Sequence, residues 1–227
     1  MVFAKVPEPG LVKTRLTPIL RAREAAELAE SLLLDTVQAA EKAEMEVVVA
    51  FTPARGRRRL EGLVGPRRLV PQGGGDLGAR LARVVAQLDA EGKKRLLVVG
   101  TDCPALTAVR FRAAAEELGR RDLVLGPALD GGFYLLGLHR SRPELFQGVP
   151  WSTERAMEAV EANARAAGLG VGKLPVERDL DTPVDLYEWF AGARAAGLRA
   201  AYPRTWDALH AALPPRRLAD LEEAIRA

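Results

Sequence analysis

Cysteine is nearly absent from this chain of 227 residues: Cys103 stands alone, so no internal disulfide can form and a reducing compartment, the cytoplasm, is the expected location. With only two histidines beside that one thiol, a zinc site is not expected. No apolar run approaches the length needed to span a bilayer, and the amino terminus, Met-Val-Phe-Ala-Lys-Val-Pro, lacks the apolar core of a signal peptide. Charge of either sign is not in excess. Thirty-three basic against 30 acidic residues leave a net +3, too mild for the clustered basic face of a nucleic-acid binder. The two common phosphate fingerprints, G-x-x-x-x-G-K-[ST] and G-x-G-x-x-G, are both missing, which excludes the usual P-loop and dinucleotide folds. Repeats, low-complexity segments and a clear linker are lacking too.

What the chain does have is a 48% hydrophobic content, ample for one sizeable core, in short runs separated by helical patterns. Val2 to Val6, Glu46 to Phe51, Arg67 to Val70, Leu96 to Val99, Asp122 to Leu125 and Val171 to Val176 read as strands, and a further apolar strand follows Gly132. Helices are expected over Arg23–Ala43, Arg55–Leu63, from Asp76 to about Ala90, over Val109–Leu118, and from a cap at Ser152 or Thr153 to about Ala167. Three more, Leu186–Arg199, Trp206–Leu213 and Leu218–Ile225, would form a helical tail broken at Pro214-Pro215. Strands and helices alternate through residue 140, as in a mostly parallel sheet with helices on both faces. The reading is of one domain over 1–227, with the tail from about 192.

In such sheets ligands gather at the carboxyl ends of the strands, and the informative residues fall there. The run Leu96 to Val99 ends in Gly100-Thr101-Asp102-Cys103-Pro104. Asp102 is either a turn aspartate bonding its own backbone or a hard oxygen ligand for Mg²⁺ or Mn²⁺. Cys103 beside it reads as a small packing residue. The first strand runs into a loop whose Pro7, Pro9 and Gly10 forbid regular structure and which brings Lys5, Lys13 and Arg15 close together, as a phosphate-binding loop would. The third strand runs into Gln72-Gly73-Gly74-Gly75-Asp76. There Asp76 can cap the next helix, the glycines admit close approach or positive φ, and the Gln72 amide suits a base or sugar edge. Asp130-Gly131-Gly132 is a tight hairpin-like turn or a place for a sugar against the backbone. Trp151 is a staple for the following helix or an acceptor platform. Thr182 with Pro183 and Asp185 forms a capping box that leaves Asp179 and Asp181 unexplained, and alternation would aim one of these two into the site and the other away. Two carboxylates about 4 Å apart repel by roughly 4 kcal/mol at an effective dielectric of 20, a repulsion that a bound divalent cation turns into attraction for a diphosphate.

These residues resemble the DUF2064 group of GT-A-like nucleotide-diphospho-sugar transferases, which includes glycosyltransferases linked to arsenosugar biosynthesis. The match runs through Phe3-Ala4-Lys5, Pro9-Gly10, Val12-Lys13-Thr14-Arg15-Leu16, Gln72 with Gly75-Asp76-Leu77-Gly78 and Arg80-Leu81, Gly100 to Leu106, Gly126-Pro127-Ala128 with Asp130-Gly131-Gly132, Pro150 to Thr153, and Asp179 to Pro183. The tail after about Gly192 lies outside it. The resemblance implies a GT-A-like three-layer α/β/α sandwich and a metal-dependent glycosyltransferase using a nucleotide-diphospho-sugar and a small-molecule acceptor. It puts Asp102 and Asp181 on the metal. With the basic loop it gives Lys5, Pro9, Gly10, Lys13, Arg15, Gln72, Gly73, Gly75 and Asp76 to the nucleotide. Asp130, Gly131, Gly132, Trp151 and Ser152 go to the sugar or acceptor, and Asp102, Asp130, Lys13 and Arg15 to the chemistry. Asp102→Ala is then expected to abolish metal-dependent binding with little loss of fold. The same loops are similar to those of guanylyltransferases, so joining a nucleoside triphosphate to a phosphorylated small molecule is the alternative. A nucleotide-binding protein without turnover is the second. A homodimer is left open.

Overall fold

The computed structural model describes residues 1–195 and 198–226. Seven strands, β1 (Val2–Lys5), β2 (Val48–Thr52), β3 (Arg68–Pro71), β4 (Leu96–Val99), β5 (Leu123–Pro127), β6 (Phe133–Leu138) and β7 (Val171–Lys173), form one sheet in the order β3-β2-β1-β4-β6-β5-β7. The connecting helices are α1 (Ala22–Lys42), α2 (Arg57–Val64), α3 (Leu77–Ala90), α4 (Ala108–Leu118) and α5 (Ala156–Ala166). The chain closes with α6 (Pro183–Ala195), α7 (Pro203–Ala212) and α8 (Pro215–Arg226). The helix expected over Leu186–Arg199 thus starts three residues earlier, and its positions 196–197 lie outside the described residues.

Pleating divides each central strand between two cores. Val49, Phe51, Leu97 and Val99 face one cluster with Leu33 and Val37 of α1 and Phe111 and Ala114 of α4. Val48, Ala50, Leu96 and Val98 face the other, with Leu81, Val84 and Val85 of α3 and Val160 of α5. Continuous apolar strands such as β4, buried at every residue, are what a sheet covered on both faces demands. A third cluster packs the outer face of α1 (Leu28, Leu32) against Leu186, Phe190 and Leu209, so α6 and α7 lie over the first layer. Asp35 of α1 accepts the backbone N–H groups of Arg204 and Thr205 and so satisfies the start of α7.

The alternation expected through residue 140 breaks at β6. β5 and β6 form an antiparallel hairpin, and β6 inserts antiparallel between β5 and β4, while β1–β2, β1–β4, β2–β3 and β5–β7 pair in parallel. The Asp130-Gly131-Gly132 turn therefore takes the hairpin form, with Ala128 N–H donating to the Gly132 carbonyl and Gly131 N–H to that of Ala128. Two further expectations are corrected. β7 is three residues long: Leu174 N–H still donates to the Leu125 carbonyl, and the next bond to β5 comes only from Glu177 N–H, to the Pro127 carbonyl. Neither Ser152 nor Thr153 caps α5. Ser152 has a φ of 63°, Thr153 closes a turn by donating to the Pro150 carbonyl, and the helix starts only at Ala156. The local caps hold: Asp76 accepts from Ala79 N–H, Thr107 from Arg110 N–H, and Thr182 and Asp185 bond reciprocally.

Candidate active site at the carboxyl edge of the sheet

A cleft of about 670 Å³ opens at the carboxyl ends of β1, β3 and β4 and at the amino end of the antiparallel β6. At its floor lies Lys13. The loop after β1 puts this residue in the left-handed region (φ 49°, ψ 35°), and its side chain, only 3% exposed, runs inward rather than to solvent. Its ammonium is 2.5 Å from Asp102 Oδ1 and 2.9 Å from Asp181 Oδ1, and donates to the Leu180 carbonyl at 2.6 Å. Burial alone would pull this lysine down. Asp102 and then Asp181 outweigh it and hold the ammonium above its ordinary value. The segment carrying Asp181 is itself tied to the β4 turn, since Leu180 N–H donates to the Asp102 carbonyl at 2.8 Å. The two carboxylates come from residues 79 positions apart, and one buried cation makes them converge.

That arrangement corrects a role. Lys13 was expected on phosphates. In the structure it sits between the two residues expected to hold a metal, and it cancels the repulsion that would otherwise push them apart. Both carboxylates remain accessible from the cleft, with side chains 47% and 40% exposed. Among the described residues no group of three or more His, Cys, Asp or Glu could form a metal cage. The donor set is thus two hard carboxylates with room for further ligands, which suits Mg²⁺ or Mn²⁺ completed by waters or phosphates and would not make a closed structural site. Lys5 and Arg15, both exposed, line the same cleft, and neither makes an ion pair among the described residues.

One of Asp179 and Asp181 was expected to point away, but residues two apart on a strand share a face, so alternation does not separate them. The chain has left the sheet by then, and Asp179 lines the cleft together with Asp181. Its Oδ1 is buried and has no hydrogen-bond partner among the described residues. Burial first, then the neighbouring Asp102 and Asp181, push this carboxyl up to about 7. The signal that could have found it is the apolar Leu180 between the two aspartates, which is buried and leaves both neighbours on the cleft side. Cys103 is buried, and burial raises its thiol further from thiolate, so it packs rather than reacts.

Gln72 is corrected as well. It is 2% exposed, and its amide is fully engaged: Nε2 donates to the carbonyls of Ala4 on β1 and Ala50 on β2, and Oε1 accepts from Arg80 Nη1 at 2.8 Å. A side chain so occupied clasps two strands and holds Arg80. It has no donor left for a base. Gly73 and Gly75 take positive φ (76° and 98°), and Arg83 fastens the loop through the carbonyls of Gln72 and Gly74. Gly73, Gly75 and the cap Asp76 shape the loop without lining the cleft, and the same holds for Pro9 and Gly10 of the first loop. Gly131 also stays off the wall. Its missing Cβ lets the backbone of Glu154 close over it. Asp130, Gly132, Trp151 and Ser152 do line the cleft, with Asp130 Oδ1 accepting from Gly132 N–H. Trp151 is both staple and wall. It meets Phe133 edge-to-face at 6.3 Å and Phe146 at 6.2 Å, and its indole covers Gly78, where any Cβ would collide with it.

Comparison with known proteins agrees with this architecture. A solved structure of a candidate nucleotide-diphospho-sugar transferase from Desulfovibrio desulfuricans G20 superposes with a TM-score of 0.89 at 27% identity, covering 97% of this chain and 96% of that one. Rv0371c of Mycobacterium tuberculosis H37Rv gives a TM-score of 0.50 at 15% identity over 82% of this chain and 94% of its own, a likeness of fold alone. No curated protein matches the sequence. The fold is thus the GT-A-like three-layer α/β/α sandwich. Residues 33–153 match the model of a family described as an uncharacterized protein conserved in bacteria, and the chain belongs to that family, DUF2064.

Proposed function

We propose that this protein is a transferase that takes a nucleotide-diphospho-sugar and moves its glycosyl group to a small-molecule acceptor. The observation that carries the reading is the buried Lys13 ammonium joining Asp102 and Asp181 in a cleft also lined by Lys5 and Arg15, cations that make no ion pair among the described residues. Cations lining one cleft with a carboxylate pair suit a diphosphate that arrives with a divalent cation. The likeness to the Desulfovibrio protein, over nearly the whole of both chains, supports the same class of substrate.

In this reading Asp102 and Asp181 would hold Mg²⁺ or Mn²⁺, which neutralises the charge that builds on the departing diphosphate. Lys13 keeps the two carboxylates converged. Lys5 and Arg15 receive the phosphate oxygens, and their charge is most effective where the cleft excludes water. The bond from the anomeric carbon to the diphosphate oxygen breaks, and the acceptor hydroxyl bonds that carbon. Asp130, exposed in the cleft, is placed to take the hydroxyl proton. Trp151 and Phe133 offer the flat apolar surface on which a sugar ring packs.

The test is a thermal-shift screen of the protein against UDP-, GDP-, ADP-, CDP- and dTDP-sugars and the matching triphosphates, with Mg²⁺, with Mn²⁺ and with EDTA. Asp102→Asn runs in parallel, because Asn keeps a hydrogen-bond acceptor beside Lys13 that Ala would remove. A metal-dependent shift with a diphospho-sugar, lost in the variant, is expected. A shift confined to triphosphates would replace glycosyl by nucleotidyl transfer, and no shift with any nucleotide would sink the reading.

A further inference from the structure

Arg80 is a cation of the cleft that the mechanism above does not use. It lines the wall from the first turn of α3 and has no carboxylate partner among the described residues. Two of its five N–H groups are engaged: Nε donates to the Asp76 carbonyl at 3.3 Å and Nη1 to Gln72 Oε1 at 2.8 Å. The other three have no partner among the described residues, on a guanidinium whose plane is set by a buried glutamine that is itself anchored to β1 and β2. A strong donor fork held rigid beside a cleft, with no anion to neutralise it, is an arrangement for a ligand.

Its position says which part of the ligand. The Gln72 amide lies over the β1–β2 pair, whereas Asp102 follows β4 on the far side of β1. Strands are spaced by about 4.8 Å, so Arg80 stands roughly 10 Å from the carboxylate pair. A diphosphate held at Asp102, Asp181 and Lys13 would reach that distance only through its ribose, with the nucleobase. A guanidinium offers donors and no acceptor. It therefore suits a base edge made of acceptors, best the O6 and N7 of guanine, which accept two N–H groups at once, and less well the single carbonyl at the edge of uracil or thymine. Adenine presents an amino donor there, which Arg80 cannot accept.

We infer that Arg80, oriented by Gln72, reads the nucleobase and selects an oxo base, guanine above all, over adenine. This rests on the nucleotide reading of the cleft and names the substrate class within it. The experiment is calorimetric titration of GDP, UDP and ADP, each with Mn²⁺, into the wild-type chain, Arg80→Lys and Arg80→Met, after circular dichroism and melting establish that the variants fold. The wild type is expected to bind GDP most tightly and ADP least. Arg80→Met should lose roughly ten- to a hundredfold in GDP affinity and little for ADP. Arg80→Lys, keeping the charge without the fork, should recover only part of that loss. Equal weakening for all three nucleotides would place Arg80 on phosphate and overturn the inference, as would unchanged GDP binding in Arg80→Met or a wild type that prefers ADP. A wild type that binds none of the three would bring down the nucleotide reading itself, an outcome distinct from binding that ignores Arg80.

Discussion

Two lysines, one at each end of the sheet, make ion pairs of similar length and opposite meaning. Lys93 meets Glu46 at 2.5 Å near the amino ends of β2 and β4, with the two side chains 38% and 62% exposed. Lys13 meets Asp102 at the same 2.5 Å at the carboxyl edge, but its own side chain is 3% exposed. In the first pair water screens both charges, and the interaction is worth at most about 1 kcal/mol. In the second the ammonium has surrendered its hydration and depends on its partners. Distance alone does not separate a decorative pair from one that organises a site. Burial of one partner does, and at Lys13 it also brings together two aspartates that the chain supplies from separate loops.

The comparison can be broken most directly at its strong end. Replacing both Asp102 and Asp181 by Ala leaves the Lys13 ammonium buried with only the Leu180 carbonyl, and should lower stability by about 3–5 kcal/mol in urea denaturation. The single Asp102→Ala change should therefore not be neutral to the fold, contrary to the sequence-based expectation, while Asp102→Asn should be milder.

Asp179 sharpens the contrast from the opposite sign of charge. Its folded value of about 7 lies above that of an unfolded carboxyl, so between about pH 4 and pH 7 the folded state binds the proton and the unfolded state does not. Stability of the metal-free protein should thus fall as pH rises through that window. Asp179→Asn should remove the slope and melt above the wild type at pH 8. Parallel pH profiles for the two proteins in EDTA would refute it. The smallest effect belongs to the exposed pair. Lys93→Ala should cost under about 1 kcal/mol, and 0.5 M salt should erase most of the difference. A loss matching that of the Asp102/Asp181 variant would void the burial argument.

Much of this molecule was open to reading in one dimension. Asp76, Thr107 and the Thr182–Asp185 box act on backbone within three residues, so their chemistry is written beside them. The apolar runs of β1, β2 and β4 announce a doubly covered sheet, and loops at its carboxyl edge follow from the order of elements. Ten of the residues singled out for ligand or metal do line one cleft: Lys5, Lys13, Arg15, Gln72, Asp102, Asp130, Gly132, Trp151, Ser152 and Asp181. What misled were rules of local geometry applied past their range. One of Asp179 and Asp181 was turned away although residues two apart on a strand share a face, and β7 was taken to run to Val176, three residues beyond its end. The amide of Gln72 looked free because nothing nearby in sequence reveals that Ala4 and Ala50 take both its donors.

Composition, spacing and capping chemistry thus determined the class of fold, the edge of the sheet where the cleft opens, and most of the residues that line it, because each depends on neighbours within a few positions. Only the tertiary structure decided that Lys13 faces inward between Asp102 and Asp181, that Asp179 is buried beside them, and that Gln72 holds Arg80 rather than a ligand. Those outcomes turn on burial and, for Lys13 and for the strands that anchor Gln72, on partners 22 to 168 residues away, and solvation, which sets the worth of a charge, is a property of the folded surface.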